Sequence, residues 1–163
     1  MAVAVFKTDK IIGHAIGMQK GGAIQLDVEF SRLPQGKHGF HIHTAGDLRG
    51  EGCAGACSHW HKGAAADHGD YKKGHTGDLG NIELGPSGIF KKRYILSKCR
   101  IEELWGRTLI VHADPDDLGL GEHEDSKTTG HSGARIGCAI FGRIAGCQSA
   151  TKKSASSTRK LKS

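Results

Sequence analysis

The chain has 163 residues, a length that suits one domain with a hydrophobic core. Its 37% of apolar residues lies well above the share in a disordered chain, and its 25 glycines follow no Gly-X-Y period, which excludes collagen. The formal net charge is +6, but residues 147–163 carry five lysines and arginines and no acid. The remainder therefore carries a charge of about +1, and the basic character belongs mainly to a tail.

The beginning of the chain, MAVAVFKTDK, contains an apolar run that is too short for a signal peptide. No apolar run approaches membrane-spanning length. We therefore expect a soluble, cytoplasmic protein without membrane contact. The five cysteines are an odd number, and free thiols or metal ligands are the default in a reducing compartment.

Short apolar runs separated by turn residues predict an all-β fold. The first three runs, AVAVFKT, IIGHAIGMQ and AIQLDVEF, are closely spaced and predict a meander of hairpins. The third run alternates apolar and polar residues, so one of its faces should be buried. That face carries Ile24, Leu26, Val28 and Phe30.

The turn RLPQGKHG leads into FHIHT, in which His41 and His43 lie on the same side of a strand. Two long stretches without periodicity follow, from residue 45 to 77 and from 114 to 133. Between them lie the strand-like runs LGNIEL, GIFKKRYIL and RTLIVHA, and after them RIGCAIFGRIA. A short helix is predicted only at EELW. Loops longer than about 15 residues are uncommon in compact domains and are usually functional.

Histidines cluster at strand ends and in the first long loop. Seven of the 11 lie between residues 38 and 75. His112 ends the run RTLIVH, and Asp78 follows the last histidine of the first loop. Four imidazoles in a tetragonal arrangement suit Cu(II), whereas three imidazoles and a carboxylate suit zinc. The distribution therefore favours metal binding over a set of solvent-exposed histidines.

Four long motifs occur in a recognisable order: GFHIHTAGD, GHTGDLGNI, GRTLIVHADPDDLG and TTGHSGARIGCAIFGRIA. From about Gly36 to Ala145 they resemble the copper/zinc superoxide dismutases, and the first strands do so more loosely. The resemblance implies an eight-stranded Greek-key β-barrel or sandwich with a zinc loop and an electrostatic loop. We expect this domain to span residues 1–146 and a basic, disordered tail to span 147–163.

The resemblance also implies two metal sites that share one ligand. The implied copper ligands are His41, His43, His59 and His112. The implied zinc ligands are His59, His68, His75 and Asp78. Asp116 would bond to ligands of both metals and so fix the orientation of their rings. Arg135 would attract and position the substrate beside copper, and Cys53 would form a disulfide with Cys138.

The implied activity is the conversion of superoxide to oxygen and hydrogen peroxide by alternate reduction and reoxidation of copper. Zinc would keep its oxidation state. His59 would leave copper on reduction, take a proton and pass it on. Because superoxide is a small anion, a positive funnel raises its rate of arrival. A homodimer and a copper chaperone are the implied protein partners.

The zinc loop departs from the family pattern. The interval from His59 to His68 is one residue longer than usual and that from His68 to His75 is two shorter, so we expect a rebuilt loop with His68 as its least secure ligand. His61 replaces the usual asparagine and is either a competing ligand, a residue behind the ligands or an exposed one. Cys57 replaces the usual glycine and offers a rival disulfide or an extra thiol near zinc.

The electrostatic loop lacks the lysines that guide superoxide in the family. Asp114, Leu120 and Thr128 occupy those places, so we expect steering to be weaker or redistributed to Lys127 and Arg135. The dimer contact is altered as well, since some positions fit it and others lose bulky apolar residues. The positions that fit the family's dimer contact are Gly46, Gly106 and Ile140. Ala45 and Arg143 stand where the family has bulky apolar residues, and Trp105 is placed to restore the lost apolar area.

Three alternatives stay open. The tail QSATKKSASSTRKLKS cannot bury enough apolar surface to order itself, but its charges can bind a polyanion in a salt-dependent way. The domain can also bind or sequester metal without turnover. A zinc-finger-like nucleic-acid module of Cys53, Cys57, His59 and His61 is disfavoured, because these residues lack the long interval between ligand pairs that a finger requires.

Overall fold

The structure, a computed structural model, describes residues 1–64 and 66–144. Within them lie nine β-strands, two 3-10 helices and one single-turn α-helix. The strands are β1 (Ala2–Lys7), β2 (Ile12–Lys20), β3 (Ala23–Arg32), β4 (His38–His43), β5 (Asp78–Ile82), β6 (Phe90–Ser97), β7 (Thr108–His112), β8 (Arg135–Ile140) and β9 (Gly142–Arg143). The 3-10 helices are Glu51–Ala56 and Ile101–Glu103, and α1 is Ser126–Thr129. The predicted boundary at residue 146 and the tail lie outside the described residues.

The strands form two antiparallel sheets with Greek-key connections. One sheet has the order β6-β3-β2-β1-β9 and the other has the order β5-β4-β7-β8. Within each sheet a strand three positions later along the chain returns to pair, since β6 lies beside β3 and β7 lies beside β4. The predicted all-β Greek-key fold is therefore confirmed.

The predicted eighth strand is divided at Phe141. β8 pairs with β7 in one sheet, whereas β9 pairs with β1 in the other, so a single segment passes from sheet to sheet. At the crossing point the Phe141 backbone exchanges hydrogen bonds with Arg107 O and Gly106 N, at 2.9 and 3.0 Å. This division accounts for nine strands where eight were expected.

The core lies between the two sheets. The predicted inner face of β3 is confirmed, because all four of its apolar residues are buried. The Phe30 ring packs at 5.3 Å from the Phe6 ring and edge-on at 5.6 Å from the Phe40 ring of the opposite sheet. Burying one such side chain stabilises the fold by roughly 1.5–3 kcal/mol. This packing fixes β4, whose other face carries His41 and His43.

The first long loop folds back on β4 and covers its histidines. Trp60 N donates to Ile42 O at 2.7 Å, Gly77 N donates to Trp60 O at 2.8 Å, and Ile42 N donates to Gly77 O at 2.9 Å. Trp60 is buried with the core, so the loop is anchored at its centre. Of the described helices, none has the length and apolar character that crossing a membrane requires.

Candidate metal centre

Four histidines converge from two neighbouring strands and the first loop. His41 and His43 share one side of β4, and His112 ends the adjacent strand β7. A backbone bridge to His43 holds His59. Each of the four side chains places a nitrogen within 4.8 Å of those of the others. The sequence prediction that these residues meet at one point is thus matched by the geometry.

Each of these imidazoles has one buried nitrogen with no hydrogen-bond partner in the part of the chain that the structure describes. The atoms are His41 Nδ1, His43 Nε2, His59 Nε2 and His112 Nε2. A buried polar atom without a partner costs about 1–3 kcal/mol, so four of them in one place call for a common partner. Four imidazole nitrogens are a donor set that Cu(II) accepts. The residues therefore fit copper.

The opposite nitrogen of each ring is held by the protein. Two of the rings lie against backbone carbonyls and two against carboxylates. The contacts are His43 Nδ1 to Cys57 O at 2.7 Å, His112 Nδ1 to Gly133 O at 3.1 Å, His41 Nε2 to Asp116 Oδ2 at 2.8 Å, and His59 Nδ1 to Asp78 Oδ1 at 2.8 Å. The carbonyl partners require a proton on the Nδ1 that contacts them, so the other nitrogen keeps its lone pair for a ligand bond.

A second set of donors surrounds the buried carboxylate of Asp78. The Nδ1 atoms of His68 and His75 lie 3.0 and 3.1 Å from Asp78 Oδ2, and His59 Nδ1 lies near the other oxygen. His68 Nδ1 lacks the geometry of a hydrogen bond despite this distance and is a fifth unpartnered nitrogen. Three imidazoles and one carboxylate are a donor set for tetrahedral zinc. The altered loop spacing has not kept His68 or His75 away.

Around Asp78, the donor atoms that all lie within 4.8 Å of one another come from His41, His59, His68 and Asp78, and His75 is not in this group. The Nε2 of His41 is engaged by Asp116, however, and its free Nδ1 belongs to the first set. His75 therefore completes the second set better, although its side chain is the more exposed.

Asp116 connects the two sets. Its Oδ2 contacts His41 Nε2 at 2.8 Å and its Oδ1 contacts His68 Nε2 at 2.7 Å. Gly130, with a positive φ of 67°, passes so close to this carboxylate that a Cβ atom would collide with it and with His68. The chain therefore needs glycine here for close approach as well as for its backbone conformation.

Sequence reasoning missed Asn81, which anchors Asp116. Asn81 Oδ1 accepts from Asp116 N at 2.7 Å, and Asn81 Nδ2 donates to Asp116 O at 2.9 Å. The two residues are 35 positions apart, and no local pattern joins them. The carbonyls of Cys57 and Gly133 were missed for the same reason, since backbone acceptors leave no mark in the sequence.

Burial keeps the first set of histidines neutral. It lowers the pKa of His112 to about 4 and the pKa of His43 to about 2. Burial likewise holds the pKa of His41 well below its usual value and lowers the pKa of His59. A neutral imidazole is the form that binds a metal, so these side chains are ready for one at neutral pH.

The second set, unlike the first, contains groups that are charged at neutral pH. Burial alone would lower the pKa of His68, but the carboxylates of Asp116 and Asp78 outweigh it and raise the pKa to about 9. Burial would raise the pKa of Asp78, but His59 and His68 hold it well below its usual range. The carboxylate is therefore ionised and matches a dication.

Arg135 stands at the start of β8 and reaches the first loop. Its Nη1 donates to Cys53 O at 2.8 Å and its Nη2 donates to Cys57 O at 2.6 Å. No salt bridge engages it within residues 1–64 and 66–144. A disulfide joins Cys53 to Cys138, the pair implied by the resemblance, and further ties this loop to β8.

His61 and Cys57 belong to neither ligand set. His61 Nδ1 accepts from Thr76 N at 3.3 Å, which places its ring behind His75 with 5.6 Å between the ring centres. Cys57 is exposed and forms no disulfide with any cysteine that the structure describes. Because Cys53 is engaged in the disulfide, the zinc-finger arrangement and the rival disulfide between Cys53 and Cys57 are not formed.

Comparisons with known proteins agree with this geometry. The family model described as "Copper/zinc superoxide dismutase (SODC)" matches residues 12–141. A superoxide dismutase [Cu-Zn] of Paramecium bursaria Chlorella virus 1 is 42% identical over 146 residues, covering 86% of this chain and 77% of the relative. An extracellular superoxide dismutase [Cu-Zn] of Drosophila melanogaster is 41% identical over 127 residues, covering 75% and 69%.

The fold is also similar to a solved structure. The crystal structure of the clock protein EA4 superposes with a TM-score of 0.78 at 32% identity, covering 88% of this chain and 94% of that one.

Proposed function

The chain belongs to the copper/zinc superoxide dismutase family, and we propose which of its residues carry out the conversion of superoxide to oxygen and hydrogen peroxide. Copper and zinc are its metals. The observation that supports the assignment best is the group of four buried imidazole nitrogens that have no hydrogen-bond partner among the described residues.

We assign the first set of donors to copper and the second set to zinc. The copper ligands are His41, His43, His59 and His112, and the zinc ligands are His59, His68, His75 and Asp78. When bound, copper supplies reversible one-electron chemistry and zinc supplies a charge of fixed oxidation state. Asp116 positions one ring of each set through its two oxygens.

His59 is the residue that the two sets share. Its Nε2 belongs to the four nitrogens of the copper set, and its Nδ1 lies beside Asp78 in the zinc set. Its Nε2 can hold a proton whenever that nitrogen is not a ligand, while Asp78 keeps the ring in place. The ring is therefore suited to deliver a proton to the reduced substrate.

Arg135 is the residue that we assign to substrate positioning. Two backbone carbonyls fix its guanidinium, and the absence of a described carboxylate partner leaves its charge free to attract an anion. The second loop works against this attraction, because residues 114–133 contain six carboxylates and one lysine. Leu120, at one of the guiding positions, is 83% exposed. We therefore expect Arg135 to carry most of the steering.

Superoxide decay after pulse radiolysis tests this function. Protein loaded with copper and zinc should remove superoxide rapidly, more slowly at higher ionic strength, and far faster than protein stripped of metal. Bound metals without decay above the stripped protein would support the alternative, a protein that sequesters metal without turnover. The acidic character of residues 114–133 is the observation that keeps this alternative in view.

We propose a homodimer formed through the patch around Trp105. Its ring is partly buried under the guanidinium of Arg143, at 5.3 Å, and Ile140, three residues before Arg143, is 39% exposed. Apolar area of this kind is what a dimer contact needs. Sedimentation should give a dimer at micromolar concentration, and a monomer there would contradict the proposal.

Three expectations stay predictions. A copper chaperone is a candidate partner, and the basic tail, outside the described residues, is a candidate polyanion-binding segment. Deleting residues 147–163 should then reduce retention on a polyanion column, and unchanged retention would contradict that role. Cytoplasmic location is the third prediction, whereas two relatives are named extracellular superoxide dismutases.

A further inference from the structure

The electrostatic loop carries a pair of histidines outside both ligand sets. The rings of His123 and His131 stack face to face, with 3.6 Å between their centres and 8° between their planes. This separation is close to the contact distance of carbon atoms, so the rings overlap with little lateral offset. Both residues are exposed, and half of the His131 side chain faces solvent. The two ring edges therefore reach solvent side by side.

A carboxylate orients one of the two rings. Asp125 Oδ1 lies 2.6 Å from His131 Nδ1. Because the carboxylate accepts a hydrogen bond from Nδ1–H, the Nε2 atom of the neutral ring carries the free lone pair. Metal-ligating histidines are commonly backed by a carboxylate in this way. Asp125 thus prepares His131 Nε2 as a ligand atom.

The backbone of the other histidine is fixed as well. His123 N donates to Ser126 Oγ, and Ser126 N donates to His123 O, both at 3.1 Å. The buried hydroxyl of Ser126 in turn donates to Asp117 Oδ2 at 2.6 Å. A ligand that uses His123 would therefore order little additional chain on binding.

We propose that His123 and His131 form a surface site for a divalent transition metal ion of the class that prefers imidazole, such as Ni²⁺, Cu²⁺ or Zn²⁺. Two nitrogens that each bind one ion at about 2.0–2.1 Å are themselves roughly 3 Å apart. The stack holds the two imidazoles side by side with 3.6 Å between their centres, and rotation of the exposed side chains out of the parallel stack would turn one nitrogen of each ring towards a shared ion.

The surrounding charge favours a cation. Glu122 and Glu124 flank His123, and both are exposed. Residues 114–133 as a whole carry six carboxylates and one lysine. A dication is concentrated in such a field, and the two imidazoles select a transition metal over a hard cation. This site does not rest on the proposed dismutase function, because binding requires no turnover.

Calorimetric titration with Ni²⁺ tests the proposal on protein already loaded with copper and zinc. We expect one additional Ni²⁺ per chain, with an affinity that excess Ca²⁺ does not reduce. His123→Asn and His131→Asn should each weaken it at least about tenfold, and Asp125→Asn should weaken it by about tenfold. Asparagine is the replacement of choice at residue 131, where φ is +50°, because it tolerates the left-handed region.

His14→Asn is the matched control, since His14 lies on β2 in the opposite part of the fold. It should leave Ni²⁺ binding unchanged. Equal binding by wild type, H123N and H131N would overturn the proposal, as would competition by Ca²⁺ or absence of binding to the wild type.

A second measurement needs no substitution. With copper reduced, the metals in the protein are diamagnetic, and bound Ni²⁺ should broaden the amide NMR signals of residues 122–132 before others. Broadening centred elsewhere, for example around His14 or His61, would contradict the site.

Discussion

At the scale of single residues, the centre depends on side chains that hold ligands rather than bind metal themselves. Asp116 is the main example, because its two oxygens contact His41 and His68 at once. The ligand types and their approximate positions could be predicted from the sequence. The tethering of Asp116 by Asn81 and the carbonyls that hold His43 and His112 could not, since these contacts join residues far apart in the chain.

Asp116→Asn should weaken zinc binding about 10- to 100-fold, a range typical of residues that hold metal ligands. In the wild type, each carboxylate oxygen of Asp116 accepts from one ring, His41 or His68. In the variant, an NH2 group replaces one oxygen and cannot accept, so one of the two rings would lose its orientation. Competition with a chromophoric chelator measures the affinity. The control is D67N, an exposed aspartate of the first loop. Equal zinc affinity in the two variants would contradict the role of Asp116.

Protein stripped of metal should lose stability as the pH falls from 6.5 towards 4. The pKa of His112 is about 4 in the fold and about 6.5 in an unfolded chain, so the unfolded chain binds the proton first. This shift lowers the free energy of unfolding by on the order of 3 kcal/mol. His43, with a pKa of about 2, lowers it further as the pH falls.

Above pH 6.5 the stability of the stripped protein should fall as the pH rises, because of His68. The folded pKa of His68 is raised to about 9, so its stabilising contribution is complete below pH 6.5 and is lost between pH 6.5 and 9. Urea unfolding of the stripped protein should therefore show greatest stability near pH 6.5. A free energy of unfolding that does not change between pH 4 and 6.5 would contradict the buried, neutral state of His43 and His112.

At the scale of elements, the strands position part of the two donor sets, and the first loop contributes the remaining histidines. Alternation in FHIHT predicts that His41 and His43 share a face, and the structure has them so because Phe40 and Ile42 fill the core. The division of the last strand at Phe141 could not be predicted, since RIGCAIFGRIA has strand-like apolar residues on both sides of Phe141 and the change of sheet depends on its partners. The length and composition of the two loops predicted that they are functional, but the path of each loop could not be predicted.

Asn81→Ala should loosen the second loop without disturbing the sheets. The substitution removes both hydrogen bonds between β5 and the Asp116 backbone, and the loss of this half-buried pair costs about 1–3 kcal/mol. Hydrogen exchange should become faster across residues 114–133 and stay unchanged in β2 and β3. Uniformly faster exchange would indicate general destabilisation, and unchanged exchange in the loop would contradict the tether.

At the scale of the whole molecule, one covalent bond joins the first loop to the sheet. The disulfide between Cys53 and Cys138 closes a segment with a sequence separation of 85. It also fixes the segment whose carbonyls hold Arg135. The pairing was implied by resemblance only, because five cysteines leave many pairings open.

The double variant C53S/C138S should lower the free energy of unfolding by up to about 4–5 kcal/mol, the loop-closure term for a segment of this size. C57S is the control, because Cys57 is free and exposed and should change stability little. Thermal unfolding of the three proteins measures the difference. Equal melting temperatures for the double variant and C57S would show that the bond does not constrain the unfolded chain.

We propose that His59 would serve both metals, with its Nε2 among the copper donors and its Nδ1 among the zinc donors. The most direct measurement is anomalous X-ray scattering from crystals of the loaded protein, collected at the copper and zinc edges. We expect a copper peak among His41, His43, His59 and His112, and a zinc peak among His59, His68, His75 and Asp78. A single peak, or a zinc peak bound by His61 in place of His68 or His75, would contradict it.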